Sequence, residues 1–285
     1  MAALLAARSM PPPATPPPAG PASPGPSPLF VLSDVHGHRD EFRAVLLGAG
    51  LVDRAGRWAG GAVRLWLLGD YVDRGPDGIG VIEDVRRLTA EAAAVGGFVG
   101  ALLGNHEVRL LSAYRFGTAP VPGLEEPDGF LGGWLRHGGR EHDLRRLAPA
   151  HVEWITRLPA AALVAGHLLV HSDTVRYLEF GAGVEAVNAA VSAALASQDA
   201  GVWREFTDRM RARGSFRGAE GPAAAARLLG ALGGTTLVHG HSTLTRHYGI
   251  APEDVREPLR YADGRVLAVG GGVHEGGRLL LTRLR

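Results

Sequence analysis

Val63-Arg64-Leu65-Trp66-Leu67-Leu68-Gly69-Asp70-Tyr71-Val72-Asp73-Arg74-Gly75 is the stretch that decides how this chain folds. Its mostly apolar run up to Leu68 predicts a buried strand, which Gly69 breaks before two carboxylates, an arginine and a second glycine. A buried strand ending in Gly-Asp sets its carboxylate at the carboxyl end of a sheet, the edge where open α/β folds bind ligands. An aspartate after a strand is also a common turn former or helix cap, so one instance decides nothing. The pattern recurs, however. Leu29-Phe30-Val31-Leu32 runs into Ser33-Asp34-Val35-His36-Gly37, and Phe98 to Leu103 runs into Gly104-Asn105-His106-Glu107. Three strand tips carrying Asp, His, Asp, Asn and His describe a site of oxygen and nitrogen donors, which is a metal-binding set.

The intervals support one sheet. His36 and Asp70 are 34 residues apart, and Asp70 and Asn105 are 35 apart. Each interval suits a strand–helix–strand crossover of roughly 30 residues, which lines up parallel strands with their tips on one edge. The intervening segments read as helices: Asp40 to Leu47, ending at Gly48, and Ile79 to Val95, with apolar Ile79, Ile82, Val85 and Leu88 and a stop at Gly96-Gly97.

Composition narrows the class. At 285 residues and 46% apolar content the chain can fill a sizeable core, and a net charge of +1 gives no bulk attraction to nucleic acid or membrane. All 30 basic residues are arginine, which we read as coding bias rather than a binding adaptation. The absence of cysteine excludes disulfides, thiolate ligands and a thiol nucleophile. No apolar run reaches the roughly 18–20 residues of a membrane span, and Met1 to Met10 is too short a patch for a secretory signal, so a cytoplasmic protein is expected. Residues 1–28 hold ten of the nineteen prolines and are expected to form a disordered tail, with 29–285 as the folded domain.

Further along, 113–150 is rich in Gly, Pro, Arg and His and reads as an insertion over the site, with room for short helices. Leu163 to Val170 looks like a strand pair with His171-Ser172-Asp173 at its tip. Helices are expected over Gly183–Ala196 and Ala223–Leu232. Strands are expected at Thr235–Val238, running into His239-Gly240-His241-Ser242, and at Val266–Val269 and Arg278–Thr282. The chain shows no internal repeat.

The blocks Asp34-Val35-His36-Gly37, Gly69-Asp70-Tyr71-Val72-Asp73-Arg74-Gly75 and Gly104-Asn105-His106-Glu107 resemble the signature blocks of the calcineurin-like metallophosphoesterases. The Asp-Arg-Gly ending resembles the phosphoprotein phosphatase branch, in its bacterial form. Leu169-Val170-His171 and Val238-His239-Gly240-His241 complete the set, and the resemblance covers roughly 29–285. It implies an α/β fold of two mixed β-sheets packed as a sandwich with helices outside. It also implies two transition-metal ions (Mn, Fe or Zn): Asp34, His36 and Asp70 around one, Asp70, Asn105, His171 and His241 around the other. Two cations roughly 3.5–4 Å apart can generate a hydroxide nucleophile at neutral pH, and holding them that close calls for a bridging anion such as Asp70. The resemblance further implies His106 as proton donor to the leaving oxygen, held and kept charged by Asp73, and Arg74 as a clamp on the phosphate. Arg217 in Ser215-Phe216-Arg217-Gly218 is a second candidate clamp, and Glu107 a support for the loop.

The expected activity is therefore metal-dependent hydrolysis of a phosphomonoester, on a phosphorylated protein. The alternatives are hydrolysis of dinucleoside polyphosphates or other small nucleotides, and a catalytically silent binding protein on the same fold. Partners are expected to be a phosphoprotein or small phosphoester, with no nucleic acid and no membrane. Some positions depart from the family pattern. Leu103 stands where eukaryotic relatives commonly have arginine, Thr243 where phosphodiesterase relatives have a second histidine, and Ser172-Asp173 places an acid near the metals, which would disfavour polyanionic substrates. His38, His137, His142, His151, His167, His239, His247 and His274 are expected to be non-ligating.

Overall fold

A computed structural model describes residues 27–123 and 127–285. The expected disordered tail, 1–28, lies outside these residues apart from Ser27 and Pro28, whose carbonyls accept hydrogen bonds from Arg64.

The first half alternates as expected: β1 (Leu29–Leu32), α1 (Arg39–Gly48), β2 (Arg64–Leu67), α2 (Gly78–Ala94) and β3 (Phe98–Ala101). α2 starts at Asp77, whose carboxylate accepts the Gly80 N–H, and it buries Ile79, Ile82, Val85 and Leu88 completely or nearly so. Helices follow: α3 (Asn105–Phe116), α4 (Gly129–Arg136), α5 (Glu141–Arg146) and α6 (Pro149–Thr156). The hairpin β4 (Ala161–Val164) and β5 (His167–Val170) leads into α7 (Val184–Ala196), α8 (Ala200–Met210) and α9 (Gly221–Leu232). The chain closes with β6 (Thr236–His239), α10 (Leu244–Tyr248), β7 (Leu259–Tyr261), β8 (Val266–Ala268) and β9 (Thr282–Leu284).

The strands form two mixed sheets. One has the order β3-β2-β1-β9, parallel except for β9; the other has the order β4-β5-β6-β8-β7, with β5, β6 and β8 parallel. Alternation along each strand sends one set of side chains between the sheets. Leu29, Val31 and Leu284 from the first sheet pack there with Ala162, Leu169, Val238 and Leu267 from the second. The outer faces are covered by the helices, through Leu32, Leu65 and Leu67 on one side and Leu168, Val170 and Leu237 on the other. This is the α/β sandwich expected from the sequence. Three details differ: the last strand lies at 282–284 rather than 278–282, β7 is an additional edge strand, and α8 occupies 200–210. Among the described residues no helix is long and apolar enough to cross a membrane.

Candidate functional site

The tips of β1, β2 and β3 meet those of β5 and β6 at one edge of the sandwich. Among the described residues nine non-glycine residues have positive φ, and six of these are Asp34, His36, Asp70, Asp73, Arg74 and His241. Left-handed backbone costs an ordinary residue on the order of 1 kcal/mol or more and persists only where its surroundings dictate it. Its concentration at these tips marks the loops as built to aim side chains.

Asp70 is at the centre. Its Oδ2 lies 3.5 Å from His36 Nε2 and its Oδ1 3.3 Å from His171 Nε2, while Oδ1 also accepts the His106 N–H at 3.0 Å. His36 donates Nδ1–H to the Val72 carbonyl, and His171 donates Nδ1–H to the Leu68 carbonyl, so each ring turns an Nε2 lone pair inward. His171 Nε2 also sits 3.0 Å from Asn105 Oδ1. Nitrogen and oxygen lone pairs facing each other at these distances repel unless a cation lies between them. His241 reaches the same place by the other nitrogen: Nε2–H donates to the Arg211 carbonyl, leaving Nδ1 buried with no hydrogen-bond partner. Two groups of three donors result, His36, Asp70 and His106, and Asp70, His171 and His241, each with its donor atoms within 4.8 Å of one another. The all-nitrogen-and-oxygen donor set and the orphaned His241 Nδ1 fit two transition-metal ions sharing Asp70. Burial pushes the Asp70 carboxyl up, with His171 opposing and Asp34 adding to the rise.

Asp34 is placed differently from the rest. Both of its oxygens lie 3.0 Å from the His241 backbone N–H, and the Ser33 hydroxyl donates to Oδ2. Gly240 makes this approach feasible, because a Cβ there would come within 2.3 Å of Asp34 Oδ2. Asp34 thus stitches β1 to β6 while its charge acts on Asp70, and His106 brings a ring nitrogen within 4.8 Å of the His36 and Asp70 donors.

Glu107 holds the frame from beneath. It is fully buried and accepts four backbone N–H groups: Asp70 at 2.9 Å and Gly104 at 3.0 Å on Oε2, Tyr71 at 2.7 Å and Val72 at 3.3 Å on Oε1. Burial, reinforced by the Asp70 charge, raises its carboxyl to about 7. Gly104 allows the β2 and β3 tips to touch, since a Cβ would meet Asp70 N at 2.3 Å.

His106 stands on the first turn of α3. Its Nδ1 bonds Asp73 Oδ2 at 2.7 Å, and its Nε2 lies 3.2 Å from Arg74 Nη2. Asp73 receives the Trp134 indole N–H on its other oxygen at 2.8 Å. Burial pushes Asp73 well above the carboxylate range, and burial together with His36 and Arg74 pulls His106 well below the usual imidazole value. Charging of His106 by Asp73, the expectation from sequence, is opposed here by burial and by neighbouring cationic groups.

Other residues sit where sequence reasoning did not place them. His274 packs edge-on against His36 with ring centroids 4.8 Å apart, accepts a hydrogen bond from Arg74 and lies 3.3 Å from Glu275. Arg217 bonds the His247 carbonyl at 3.1 Å, lies over the Tyr248 ring and approaches Asp173 at 3.9 Å, away from the Asp70 cluster. Arg213 bonds His247 Nε2 at 2.6 Å and has Asp173, Asp70, Arg74 and Asp34 as its charged neighbours. Asp173 is committed internally: it accepts the Ser242 hydroxyl at 2.7 Å and the Gly214 N–H at 2.8 Å, anchoring the Arg213-Gly214 turn. His239 has both ring nitrogens engaged, with Gly240 O at 2.8 Å and Tyr261 Oη at 2.7 Å. The sequence carried one signal for Arg213, an Arg-Gly pair like Arg74-Gly75, but Arg217-Gly218 repeats it four residues later. No local signal pointed to His274.

Known proteins are similar to this chain. Over 102 residues the chain is 33% identical to Shewanella-like protein phosphatase 2 of Arabidopsis thaliana, covering 35% of this chain and 26% of that protein. Over 147 residues it is 31% identical to a symmetrical bis(5'-nucleosyl)-tetraphosphatase of Aromatoleum aromaticum, covering 50% of this chain and 43% of that protein. The chain therefore spans less than half the length of these curated relatives. The structure of a cold-active protein-tyrosine phosphatase of a psychrophile, Shewanella sp., superposes with a TM-score of 0.68 over 91% of this chain and 78% of that one, at 22% identity, which establishes a common fold. A family model described as calcineurin-like phosphoesterase matches residues 27–275, nearly all of the two sheets and every strand tip described above, and the chain belongs to that family.

Proposed function

We propose that this protein is a metal-dependent phosphomonoester hydrolase that acts on a phosphorylated protein residue. The observation that carries the reading is the Asp70 carboxylate, one oxygen toward His36 and the other toward His171, with Arg74 and His106 beside it. Asp34, His36 and Asp70 would hold one cation, and Asp70, Asn105, His171 and His241 the other, the metals being Mn, Fe or Zn. Cations bound there would lower the pKa of water and withdraw charge from the phosphoryl oxygens.

The chain's own residues do the remaining work. Arg74 takes two phosphoryl oxygens in its planar fork and fixes the ester for in-line attack. Arg213, rather than Arg217, supplies a second guanidinium, because its charged neighbours include Asp34, Asp70 and Arg74. A phosphate dianion against Arg74 neutralises the cation that now presses His106 toward its uncharged form, which favours the imidazolium. His106 then gives the Nε2 proton to the leaving alkoxide, while Asp73 holds Nδ1 and so fixes the ring.

Similarity to symmetrical bis(5'-nucleosyl)-tetraphosphatases favours a second reading, hydrolysis of a dinucleoside polyphosphate by the same groups. Elemental analysis, followed by assays with added Mn on a phosphoserine peptide and on diadenosine tetraphosphate, separates the two. Phosphatase activity with about two metal ions per chain, both lost in Asp70→Asn, supports the first reading. Preference for the dinucleotide would replace it with the second, and no metal uptake would overturn both.

A further inference from the structure

Beside the metal-ligand cluster, α3, α4 and α8 enclose a cavity of about 420 Å³ that none of the roles above uses. Its walls include Arg109, Arg204, Thr207, Arg211, Phe130 and Trp134. On α8 and its end, Arg204, Thr207, Asp208 and Arg211 recur at helical spacing, so one face of the helix is turned into this space. Arg109 enters from α3, three residues after His106 and one turn further along.

Three polar atoms of these walls are buried without a hydrogen-bond partner: Arg109 Nε, Arg204 Nε and Thr207 Oγ1. A buried polar group left unpaired costs on the order of 1–3 kcal/mol, more when it is charged, so the wall of this cavity concentrates polar groups that the protein itself does not pair. The charge is also one-sided. Asp208 is the one acid lining the cavity among the described residues, and it is spent on Arg211 at 2.8 Å. Arg109 is pulled down to about 10 by burial and by Arg211, with Asp73 and Asp70 opposing, and it stays charged at neutral pH.

The cavity shares walls with the site on two sides. Trp134, which lines it, donates to Asp73, and the Arg211 carbonyl accepts from His241 Nε2 at 3.1 Å. We propose that this cavity is a subsite for a second phosphate group of the substrate, adjacent to the phosphate that is hydrolysed. Guanidinium forks and a hydroxyl match the several oxygens of a phosphate. The second phosphate can belong to a doubly phosphorylated peptide or to a polyphosphate chain. The kinetic side of the proposal rests on the phosphatase reading; the anion site itself does not.

Two measurements keep these apart. In the first, the Mn-loaded enzyme and its Arg204→Gln and Thr207→Val variants are assayed on four substrates. These are p-nitrophenyl phosphate, a singly phosphorylated peptide, the same peptide with a second phosphate nearby, and diadenosine tetraphosphate. The wild type should show a KM at least about tenfold lower on one of the two multiply phosphorylated substrates than on its singly phosphorylated counterpart. Whichever it is names the source of the second phosphate. Both variants should lose that preference and keep p-nitrophenyl phosphate turnover within about twofold. In the second, inorganic phosphate is titrated calorimetrically into the metal-free protein and into Arg109→Met and Arg204→Gln. Binding by the wild type that weakens at least about tenfold in either folded variant supports the subsite, even if no ester is hydrolysed and the phosphatase reading falls. Equal phosphate binding by wild type and both variants, or an undiminished preference in Arg204→Gln and Thr207→Val, overturns the subsite while leaving phosphatase activity standing.

Discussion

The Trp134 indole donates its N–H to the Asp73 carboxylate at 2.8 Å, and through that bond the insertion over 113–150 reaches the centre of the site. Trp134 is completely buried on α4, and Asp73 uses its other oxygen to hold His106. A hydrogen bond to a charged group contributes about 1.5–3 kcal/mol. Trp134→Phe keeps most of the packing and deletes a donor that favours the Asp73 carboxylate, so Asp73 should orient His106 less well. Turnover on a phosphoserine peptide is expected to fall about 10–100-fold, with metal content unchanged. Unchanged turnover would show that the indole only packs.

Glu107 bears on the metal ligands through the backbone. Its two oxygens take four N–H groups from the loops that carry Asp70 and the start of α3. Glu107→Gln replaces one oxygen by an amide NH2 that faces those same donors. The mismatch should cost about 3–5 kcal/mol, as for other broken buried networks, and should loosen Asp70 at the same time. Thermal unfolding and metal stoichiometry should therefore fall together. Full metal occupancy in a destabilised protein would separate the frame from the site.

Much of this was legible in the sequence because it is local. The Gly-Asp and Gly-Asn tips, their intervals and the apolar strands before them are short-range patterns, and the left-handed φ values of Asp34, Asp70 and Asp73 follow the same blocks. The helix at 200–210 had its signal too: Asp199 caps it, accepting the Gly201 N–H at 2.7 Å, and Trp203, Phe206 and Met210 face the core at helical spacing. Other features were not local. His274 meets His36 from 238 positions away, and Arg213 and Arg217 are told apart only by their partners, the His247 ring for one and the His247 carbonyl for the other. The three arginines of the α3–α4–α8 cavity carry no local signal, because only packing brings them together and shows that two of their Nε atoms are buried without partners.

Away from the site, Asp84 on α2 joins α1 through Arg39 and Arg43 and is bonded within its own helix by Arg87. Arg39 and Arg43 each reach it with two nitrogens, at 2.8 and 3.1 Å and at 2.7 and 2.9 Å, and Arg87 bonds it at 3.2 Å. Burial works against its charge, but the bonds from Arg43, Arg39 and Arg87 outweigh it and hold the carboxyl well below its ordinary value. A depressed folded-state pKa stabilises above the unfolded value, near 4, and that contribution fades as pH falls toward the folded value. Asp84→Asn should cost about 2 kcal/mol at pH 7, less than a fully buried pair because the arginines are partly solvated. The gap between wild type and variant in urea midpoint should shrink steadily below pH 4. A gap of equal size at pH 7 and pH 3 would mean that packing, not charge, holds the two helices.

His106 lies in one group with His36 and Asp70, close enough to ligate, yet its Nδ1 is committed to Asp73 and its Nε2 faces Arg74. The leaving-group dependence of its loss separates a ligand from a proton donor. As a donor, His106→Asn should leave metal content and folding nearly intact while turnover falls about 10²–10⁴-fold. An aryl phosphate departs as a stabilised phenolate and needs little protonation, whereas a phosphoserine alkoxide needs a full proton. The variant should therefore be impaired less on p-nitrophenyl phosphate than on the peptide. Asp73→Asn, which keeps the imidazole and removes the group that orients it, should show the same ordering with a smaller loss. Asp70→Asn should behave differently, losing metal and both activities together. Equal damage to both substrates in His106→Asn, or loss of a metal ion from it, would make His106 a ligand and move the proton donor elsewhere.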